Sequence, residues 1–250
     1  MSGRLDIVGL GPGREGLVTP EASAALAAAA AIYGYGPYLA RVPWREGQAR
    51  HPSDNRVELD RARAALEAAA QDRVAMVSGG DPGVFAMAAA VCEAVEQGPQ
   101  AWRGIEIVVH PGITAMLALA ARLGAPLGHD FCAISLSDNL KPWPLVEKRL
   151  AAAAGAGFAM ALYNPISRAR PWQLGRAFGA LRAVLPAATP VIFGRAVMRA
   201  EEHIEITTLG AADPARADMA TCVIIGTAET RVIARPALPP LVYTPRSMPA

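Results

Sequence analysis

The stretch Ser78-Gly79-Gly80-Asp81-Pro82-Gly83-Val84-Phe85 follows a short apolar run at residues 73–77 and leads into a longer apolar run at residues 85–95. The first run is typical of a buried parallel strand, and the second has the composition of a helix. Two adjacent glycines let the backbone approach a ligand where a β-carbon would obstruct it. We expect Asp81 to cap the helix, with Pro82 at its first position. Taken alone, the stretch would more often be a plain strand-to-helix turn than a ligand site.

Two more glycine-rich segments follow predicted strands. The apolar run at residues 5–10 leads into Gly11-Pro12-Gly13, and the run at residues 105–109 leads towards Pro111-Gly112-Ile113-Thr114. We call residues 9–13, 78–83 and 111–114 the first, second and third glycine loops. Alternating strands and helices predict a mostly parallel sheet, and ligands of such sheets bind outside the carboxyl ends of the strands. All three loops are therefore expected at one edge of the sheet.

The first glycine loop does not match the common nucleotide-binding patterns. After Gly9 and Gly11, Arg14 stands where a dinucleotide-binding fingerprint requires a third glycine. No Gly-Lys-Ser or Gly-Lys-Thr follows, so the loop is not a Walker phosphate loop either. Thr19 and Pro20 predict the cap and the first residue of an alanine-rich helix.

The remaining pattern predicts an α/β fold of two domains, residues 1–125 and 126–250. The first domain adds a strand at residues 31–35, an irregular basic segment at residues 36–55 and a helix at residues 57–70. The second domain is predicted to contain helices at residues 145–154 and 171–184, and strands at residues 131–136, 157–162, 190–194, 203–208 and 220–225. Its consecutive strands without intervening helices predict antiparallel pairing, hence a mixed sheet.

Composition excludes several classes of protein. A formal net charge of +2 does not favour a nucleic acid as partner. The longest apolar stretch, residues 24–32, is too short to span a bilayer, and no secretion signal opens the chain, so we expect a cytoplasmic protein without membrane partners. The three cysteines lie far apart, which indicates neither disulfides nor a metal site, and we expect all three in the core: Cys92, Cys132 and Cys222.

The three glycine loops, in this order and spacing, resemble those of the tetrapyrrole methylases, which use S-adenosylmethionine. The resemblance covers essentially the whole chain. Other segments are similar to the members that methylate carbon 17 of precorrin-3B and contract its ring, namely Tyr33-Gly34-Tyr35, residues 124–131, residues 134–138 and Tyr163-Asn164-Pro165 with Ser167. The resemblance implies two α/β domains with the methyl donor in the cleft between them, and a homodimer.

Carried over position by position, the resemblance also implies a set of cofactor contacts. They fall on Pro12, Gly79, Gly80, Asp81, Val84, Thr114, Ala115, Asn164, Ala196 and Cys222. Backbone amides and the Thr114 hydroxyl can satisfy the carboxylate and ribose of the donor, while small residues such as Ala196 and Cys222 leave room for adenine. For any single glycine, a purely structural role remains an equal alternative.

The implied substrate is a tetrapyrrole with many carboxylates, which arginine recognises well. The candidates are Arg41, Arg168, Arg170, Arg195 and Arg199, with Arg170 and Arg195 foremost because they follow strand ends with matched motifs. Ring contraction benefits from a proton acceptor. His129, Asp130, Asp138 and Lys141 are candidates, and we favour Asp138, which lies in a polar loop after a strand.

Three alternatives stay open at this point. The first is a sister methylase that acts on another tetrapyrrole carbon or on the cobalt-containing intermediate of the anaerobic route. The second is a methylase of similar fold that acts on ribosomal RNA or on a protein, for which a more basic surface would be expected. The third is a non-enzymatic or nucleotide-binding α/β protein. The absence of a cysteine cluster favours a cobalt-free substrate.

Overall fold

The computed structural model describes residues 3–54 and 56–247. The chain divides into two compact units, residues 1–114 and 115–250. This division precedes the predicted boundary at residue 125, because the helix that begins at Ala115 packs against strands of the second unit. None of the described helices is long and apolar enough to cross a membrane.

The first unit alternates strands and helices. Its strands are β1 (Arg4–Gly9), β2 (Ala31–Tyr35), β3 (Ala49–Ser53), β4 (Arg73–Ser78) and β5 (Glu106–His110). Its helices are α1 (Pro20–Ala28), α2 (Gly36–Leu39), α3 (Glu58–Ala69) and α4 (Met87–Gln97). The strands form one sheet of order β3-β2-β4-β1-β5 in which every pairing is parallel. The predicted parallel sheet is confirmed.

Two apolar clusters bury the faces of this sheet. One packs α3 and α4 against Leu5, Ile7 and Met76, and the other packs α1 against Val8 and Val77. Alternate residues of β1 and β4 therefore point to opposite faces, and both faces are apolar, as expected for a parallel sheet covered by helices. Both central strands are almost completely buried, so their carboxyl ends are rigidly placed.

The segment at residues 36–55 is more ordered than predicted. It contains the short helix α2 and the edge strand β3, which pairs with β2. β3 carries Arg50, His51 and Pro52 instead of an apolar run, and most of its residues are exposed or half-buried. Its pattern gave no strand signal because an edge strand of this kind buries little side-chain surface.

The second unit combines helices with antiparallel strands. It contains, in chain order, α5 (Ala115–Leu123), β6 (Gly124–Ala125), β7 (Phe131–Ser135), α6 (Trp143–Gly155), β8 (Ala159–Tyr163), α7 (Gln173–Arg182), β9 (Pro190–Arg195), β10 (His203–Thr208), β11 (Thr221–Ile225), β12 (Arg231–Arg235) and β13 (Leu238–Tyr243). One sheet has the order β10-β9-β11-β8-β7, in which β7 and β8 are parallel and the other pairings antiparallel. The predicted mixed sheet is confirmed.

A second, small sheet of order β12-β13-β6 was not predicted. β13 contains Pro239 and Pro240, and β12 is exposed along nearly its whole length, so neither strand shows an apolar alternation. The main core of this unit lies around Phe178, Phe193 and Leu162, between the mixed sheet and the helices α6 and α7.

Candidate functional site

The three glycine loops meet at the carboxyl edge of the first sheet, as predicted. β1 lies between β4 and β5, so the loops that follow these strands are neighbours. The amide of Leu10 donates to the carbonyl of Ser78 over 2.9 Å. Gly11 and Gly80 exchange two backbone hydrogen bonds, with N···O distances of 3.1 and 3.0 Å. The first and second loops therefore form one hydrogen-bonded structure.

Glycine is required where these loops touch. A β-carbon on Gly9 would lie 2.7 Å from the Gly112 nitrogen and 2.8 Å from the Gly80 carbonyl oxygen. Gly80 itself adopts a φ of +65°, which side-chain-bearing residues rarely adopt. The result is a cradle of closely packed loop backbone, in which Gly79, Gly80 and Gly112 are half-buried.

Asp81 organises this cradle in a way that the sequence did not predict. Its Oδ1 accepts from the Gly83 amide over 2.8 Å, and its Oδ2 accepts from the Gly112 amide over 3.1 Å. Asp81 therefore ties the second loop to the third. The prediction that it caps the following helix is wrong, since α4 begins only at Met87.

The delayed start of α4 has a conformational cause. Phe85 adopts a φ of +52°, and Ala86 is extended, so the chain leaves the helical path after Pro82. Pro82 is consequently not at the first helical position. The cap and proline predicted for α1 are confirmed, because the Thr19 hydroxyl oxygen accepts from the Ala22 amide over 3.2 Å and Pro20 begins the helix.

The other predicted contacts of the first unit lie close to the cradle. Pro12 is buried and Val84 is half-buried. The Cα of Thr114 would lie 3.5 Å from a β-carbon on Gly80. Gly79 packs against the ring of Tyr38. The structure brings these residues together, and their contact with a cofactor stays a prediction.

Arg41, one of the candidate substrate arginines, supports the first loop instead. Its Nη2 donates to the carbonyl oxygens of Leu10 and Gly11 over 2.6 and 3.1 Å. These carbonyls belong to the segment that approaches Gly80, so Arg41 helps to hold the first loop in place. This supporting role is one that the sequence did not reveal.

A buried carboxylate lies beneath the loops and was also missed. Asp6 is fully buried in β1, and it interacts with Arg4, Arg73 and His110 at distances of 2.8 Å to the closest atom of each. Burial by itself raises the pKa of Asp6, but the hydrogen bonds from these three residues outweigh it, so the pKa lies below its ordinary value. An acidic residue inside an apolar strand was the available signal, because buried carboxylates require partners.

In the second unit, two predicted cofactor residues have unusual backbone conformations. Asn164, directly after β8, has a φ of +51°, and Ala196, directly after β9, has a φ of +46°. β8 and β9 are both antiparallel to β11, so these residues lie at the same edge of the sheet. Left-handed backbone at non-glycine residues is costly and concentrates at functional sites. This edge is therefore the candidate site of the second unit.

Several side-chain contacts shape this edge. Asn164 Nδ2 donates to Ser135 Oγ over 2.9 Å, and the Tyr163 hydroxyl accepts from the Met116 amide over 3.0 Å. Ala115 is the first residue of α5 and is half-buried. Cys222 is buried in β11, and burial raises the pKa of its thiol to about 12, so it acts as a small uncharged residue.

The favoured proton acceptor Asp138 and the two favoured substrate arginines, Arg170 and Arg195, all form ion pairs. Arg170 Nε lies 2.6 Å from Asp138 Oδ1, and Gln173 Nε2 donates to the same oxygen over 3.1 Å. Arg195 Nε lies 2.7 Å from Asp218 Oδ2. The favoured proton acceptor and one of the favoured substrate arginines are thus partners of each other.

The other candidate proton acceptors have structural roles. His129 Nδ1 accepts from the Asp130 amide over 2.7 Å, which closes a turn before β7. Lys141 Nζ donates to the Ser137 carbonyl oxygen over 2.9 Å. Burial lowers the pKa of Lys141, and the nearby Arg149 adds to the effect, while Asp138 opposes it.

The core expectation for the cysteines is only partly right. Cys222 is buried and Cys132 is half-buried, but Cys92 is exposed on α4. An alanine-rich helix shows little contrast between its faces, so its pattern does not predict which face carries Cys92.

Comparison with known proteins identifies related chains. Residues 4–213 match the family model of the tetrapyrrole (corrin/porphyrin) methylases. A precorrin-3B C(17)-methyltransferase of Sinorhizobium sp is 64% identical over 98% of this chain and 97% of that protein. A probable cobalt-factor III C(17)-methyltransferase of Salmonella typhimurium is 42% identical over 91% of this chain and 94% of that protein. The solved structure of the methyltransferase CobJ has 56% identity and a TM-score of 0.91, and covers 98% of this chain and 100% of that one.

Proposed function

The chain belongs to the tetrapyrrole methylases, and we propose that it transfers a methyl group from S-adenosylmethionine to carbon 17 of precorrin-3B and contracts the ring to give precorrin-4, a step in cobalamin synthesis. The observation that carries this proposal is the 64% identity, over nearly the full length of both chains, with a precorrin-3B C(17)-methyltransferase. The cradle of glycine loops supplies the physical basis.

The first unit offers the features that the methyl donor needs. S-adenosylmethionine supplies an electrophilic methyl group when bound, and the protein has to hold this group in line with the accepting carbon. Positioning of this kind is worth several kcal/mol, about 7 in favourable cases. Pro12, Gly79, Gly80 and Thr114 would line the donor. Asp81 would act through the loops, since both of its carboxylate oxygens accept backbone amides.

The second unit holds the other predicted cofactor residues. Asn164 and Ala196 present backbone in the left-handed region at the ends of β8 and β9. Cys222 and Ala196 are small, which fits a role beside adenine. Ala115 at the start of α5 adds an amide near the Tyr163 hydroxyl, which already accepts from Met116.

Asp138 is the proposed proton acceptor for ring contraction. Its contacts with Arg170 and Gln173 are both made to Oδ1. Oδ2 would then take the proton of the substrate hydroxyl as the carbon-carbon bond migrates. The Asp138→Asn variant should still transfer the methyl group but should no longer contract the ring. Its product would therefore carry the added methyl group on an uncontracted macrocycle. Loss of both steps together would contradict this role.

Arg170 and Arg195 are the proposed partners of the substrate carboxylates. In each arginine the Nε contacts a carboxylate of the protein, which orients the guanidinium plane. The Nη groups would then form the bidentate pair with a substrate carboxylate. Arg195→Lys keeps the charge and loses the fork, so it should raise the KM for the tetrapyrrole. The dissociation constant for S-adenosylhomocysteine should not change, and a parallel loss of both affinities would contradict the assignment.

The decisive experiment is incubation of the protein with isotopically labelled S-adenosylmethionine and precorrin-3B, followed by mass spectrometry. We expect a product with one added methyl group and a contracted ring. A parallel incubation with cobalt-factor III tests the alternative suggested by the Salmonella relative, which is similar over 91% of this chain. Methylation of the cobalt-containing substrate alone would overturn the proposal.

We also propose that the protein is a homodimer. β12 is the edge strand of the small sheet, and its neighbouring residues Val232 and Ile233 are both 45% exposed. Adjacent strand residues point to opposite faces, so β12 offers apolar surface on both sides together with a free edge. Analytical ultracentrifugation should show a dimer that dissociates in Ile233→Asp and persists in the control Val184→Asp, whose apolar side chain is 44% exposed in the turn after α7. A monomeric parent protein would contradict the proposal.

A cytoplasmic location is the last part of the proposal. The three cysteines are free, and one of them is exposed. Free exposed thiols fit a reducing compartment better than an oxidising one. Cell fractionation with an antibody against the protein tests this location, and recovery in a secreted or membrane fraction would contradict it.

A further inference from the structure

The carboxyl edge of the first sheet continues beyond the glycine loops to the end of β2. β2 pairs with β4, and Gly34 lies level with Val77, so Tyr35 reaches the edge where the second glycine loop begins. α2 starts at the next residue and carries Tyr38. Two tyrosines therefore stand beside the loop that the proposed function assigns to the methyl donor.

Tyr38 touches this loop with the hydroxyl end of its ring. A β-carbon on Gly79 would lie 2.7 Å from Tyr38 Cζ and 2.9 Å from its hydroxyl oxygen. Only glycine at position 79 allows this contact. Tyr35 packs against Tyr38 edge to face, with ring centroids 5.4 Å apart and planes at 90°. Such pairs fix ring orientation.

The helix that carries Tyr38 is itself held tightly. A β-carbon on Gly34 would collide with Val77 Cγ2 and lie 3.3 Å from Leu39 Cγ. Leu39 is buried, and the Leu39 carbonyl oxygen accepts from Arg50 Nη1 over 3.2 Å. α2 therefore docks closely on β4, and the position of Tyr38 relative to Gly79 is set by the backbone of the sheet.

The chemistry of this surface matches the substrate class. A tyrosine offers an apolar ring face and a hydroxyl that donates a hydrogen bond, and Tyr35 and Tyr38 are both only half-buried. A tetrapyrrole offers flat conjugated segments and carboxylates. For methyl transfer its reacting carbon has to come within contact of the donor, hence next to the second glycine loop.

We propose that Tyr38, braced by Tyr35, is a substrate-positioning residue: the macrocycle packs against its ring, and its hydroxyl donates to a substrate carboxylate. This inference rests on the proposed function and adds to it an element of substrate recognition in the first unit. Gly34 and Gly79 make this position of Tyr38 possible, because a side chain at residue 34 would displace α2 and one at residue 79 would displace the tyrosine ring.

The test compares Tyr38→Phe and Tyr38→Leu with the parent protein. Tyr38→Phe removes only the hydroxyl, and Tyr38→Leu also removes the ring. Tyr33→Phe is the matched control, because Tyr33 lies on β2, the strand that leads into α2, and stacks on His51 with ring centroids 4.3 Å apart. For each protein, calorimetry gives the dissociation constant of S-adenosylhomocysteine, and initial rates with precorrin-3B give KM and kcat.

We expect Tyr38→Phe to bind S-adenosylhomocysteine within about twofold of the parent and to raise the KM for precorrin-3B about 10-fold, the usual effect of losing a hydrogen bond to a charged group. Tyr38→Leu should lower kcat/KM further, and Tyr33→Phe should match the parent. Unchanged kinetics in Tyr38→Phe and Tyr38→Leu would overturn the inference. An equal loss of S-adenosylhomocysteine affinity would overturn it too, since Tyr38 would then serve the donor loop.

The two proposals fail in different ways. If the parent protein does not methylate precorrin-3B, the proposed function fails and this inference falls with it. If the parent is active and Tyr38→Phe behaves like Tyr33→Phe, only the inference fails. Tyr38→Phe keeps the packing against Gly79, so the test does not depend on whether Tyr38→Leu folds.

Discussion

Gly80 shows how single residues create the candidate site. Its φ of +65° and its two backbone hydrogen bonds with Gly11 hold the second loop against the first. Asp81 then ties this pair to Gly112 in the third loop. At these points the loop backbones approach too closely, or adopt a φ too unfavourable, for a residue with a side chain. The geometry of the loops therefore requires glycine there.

A side chain at position 80 should disrupt cofactor binding. We expect Gly80→Val to raise the dissociation constant of S-adenosylhomocysteine at least about 10-fold, because a β-branched residue in the left-handed region costs about 1–3 kcal/mol and pushes the loop from its position. Gly104→Val is the control, since nothing lies within 4 Å of its β-carbon and its φ is not positive. Calorimetry measures both. Binding within twofold of the parent in Gly80→Val would show that the second loop does not hold the cofactor.

Asp6 should make stability depend on pH. Its pKa is lower in the folded protein than in the unfolded chain, so its stabilisation is complete above pH ~4 and is lost as the pH falls through the folded-state pKa. Asp6→Asn leaves Arg4, Arg73 and His110 without the buried carboxylate and should lower the free energy of unfolding by about 3 kcal/mol at neutral pH.

Urea unfolding measured from neutral pH down to about pH 3 tests this dependence. The difference between the parent and Asp6→Asn should shrink below pH ~4, as the parent carboxylate takes up its proton. Asp60→Asn is the control, because this side chain is 72% exposed. A difference that does not vary with pH would mean that the charge of Asp6 is not what stabilises the fold.

At the scale of elements, loops after parallel strands carry most of the candidate site. In the second unit, the loop after β7 is tied to the segment before α7 by Asp138, Arg170 and Gln173. Gln173 also donates to the Leu136 carbonyl oxygen over 2.8 Å. These contacts link residues 136–138 to residues 170–173, although no pattern in the sequence relates the two segments.

A double-mutant cycle measures this coupling. Alanine substitutions of Asp138 and Arg170, singly and together, should give a coupling energy of about 1 kcal/mol, because the two side chains are only 21% and 34% exposed. The pair Arg63 and Asp60, with a distance of 3.4 Å and more exposed side chains, should give a value near zero. Equal coupling energies for the two pairs would argue that the loops are not linked through Asp138.

At the scale of the whole molecule, the two units differ in architecture but share one principle. Each builds a buried sheet and places its unusual backbone at the strand ends. In the first unit these residues include Gly11 and Gly80, and in the second they include Asn164 and Ala196. Both units contain cysteines: Cys92 is exposed in the first unit, and Cys222 is buried in the second.

The cysteines should therefore report on the integrity of each unit. At pH 8 a thiol reagent should modify Cys92 rapidly and Cys132 more slowly, while Cys222 should react only after unfolding, since burial raises the pKa of its thiol to about 12. Mass spectrometry of peptides from protein quenched at increasing times gives the order. Modification of Cys222 as fast as that of Cys92 would show that the core around β11 opens readily.

The sequence by itself determined the strands β1, β2, β4, β5 and β7 to β11, the alternation that makes the first sheet parallel, and the three glycine loops. These features follow from local patterns: apolar runs bury themselves in sheets, and glycine permits backbone that other residues resist. The same loops carried the resemblance to the tetrapyrrole methylases, which the family model confirms over residues 4–213.

Only the tertiary structure decided which residues work together. Asp81 precedes a proline and an apolar run, a pattern typical of a helix cap. In the structure its two carboxylate oxygens accept hydrogen bonds from amides of two different loops. It does not cap α4, because Phe85 and Ala86 turn the chain away from the helical path. The contacts of Asp6 with Arg73 and His110, of Arg41 with the first loop, and of Tyr38 with Gly79 join residues far apart in sequence. Local propensity cannot encode such contacts, because they depend on which strands become neighbours and on the distances that the folded backbone then imposes.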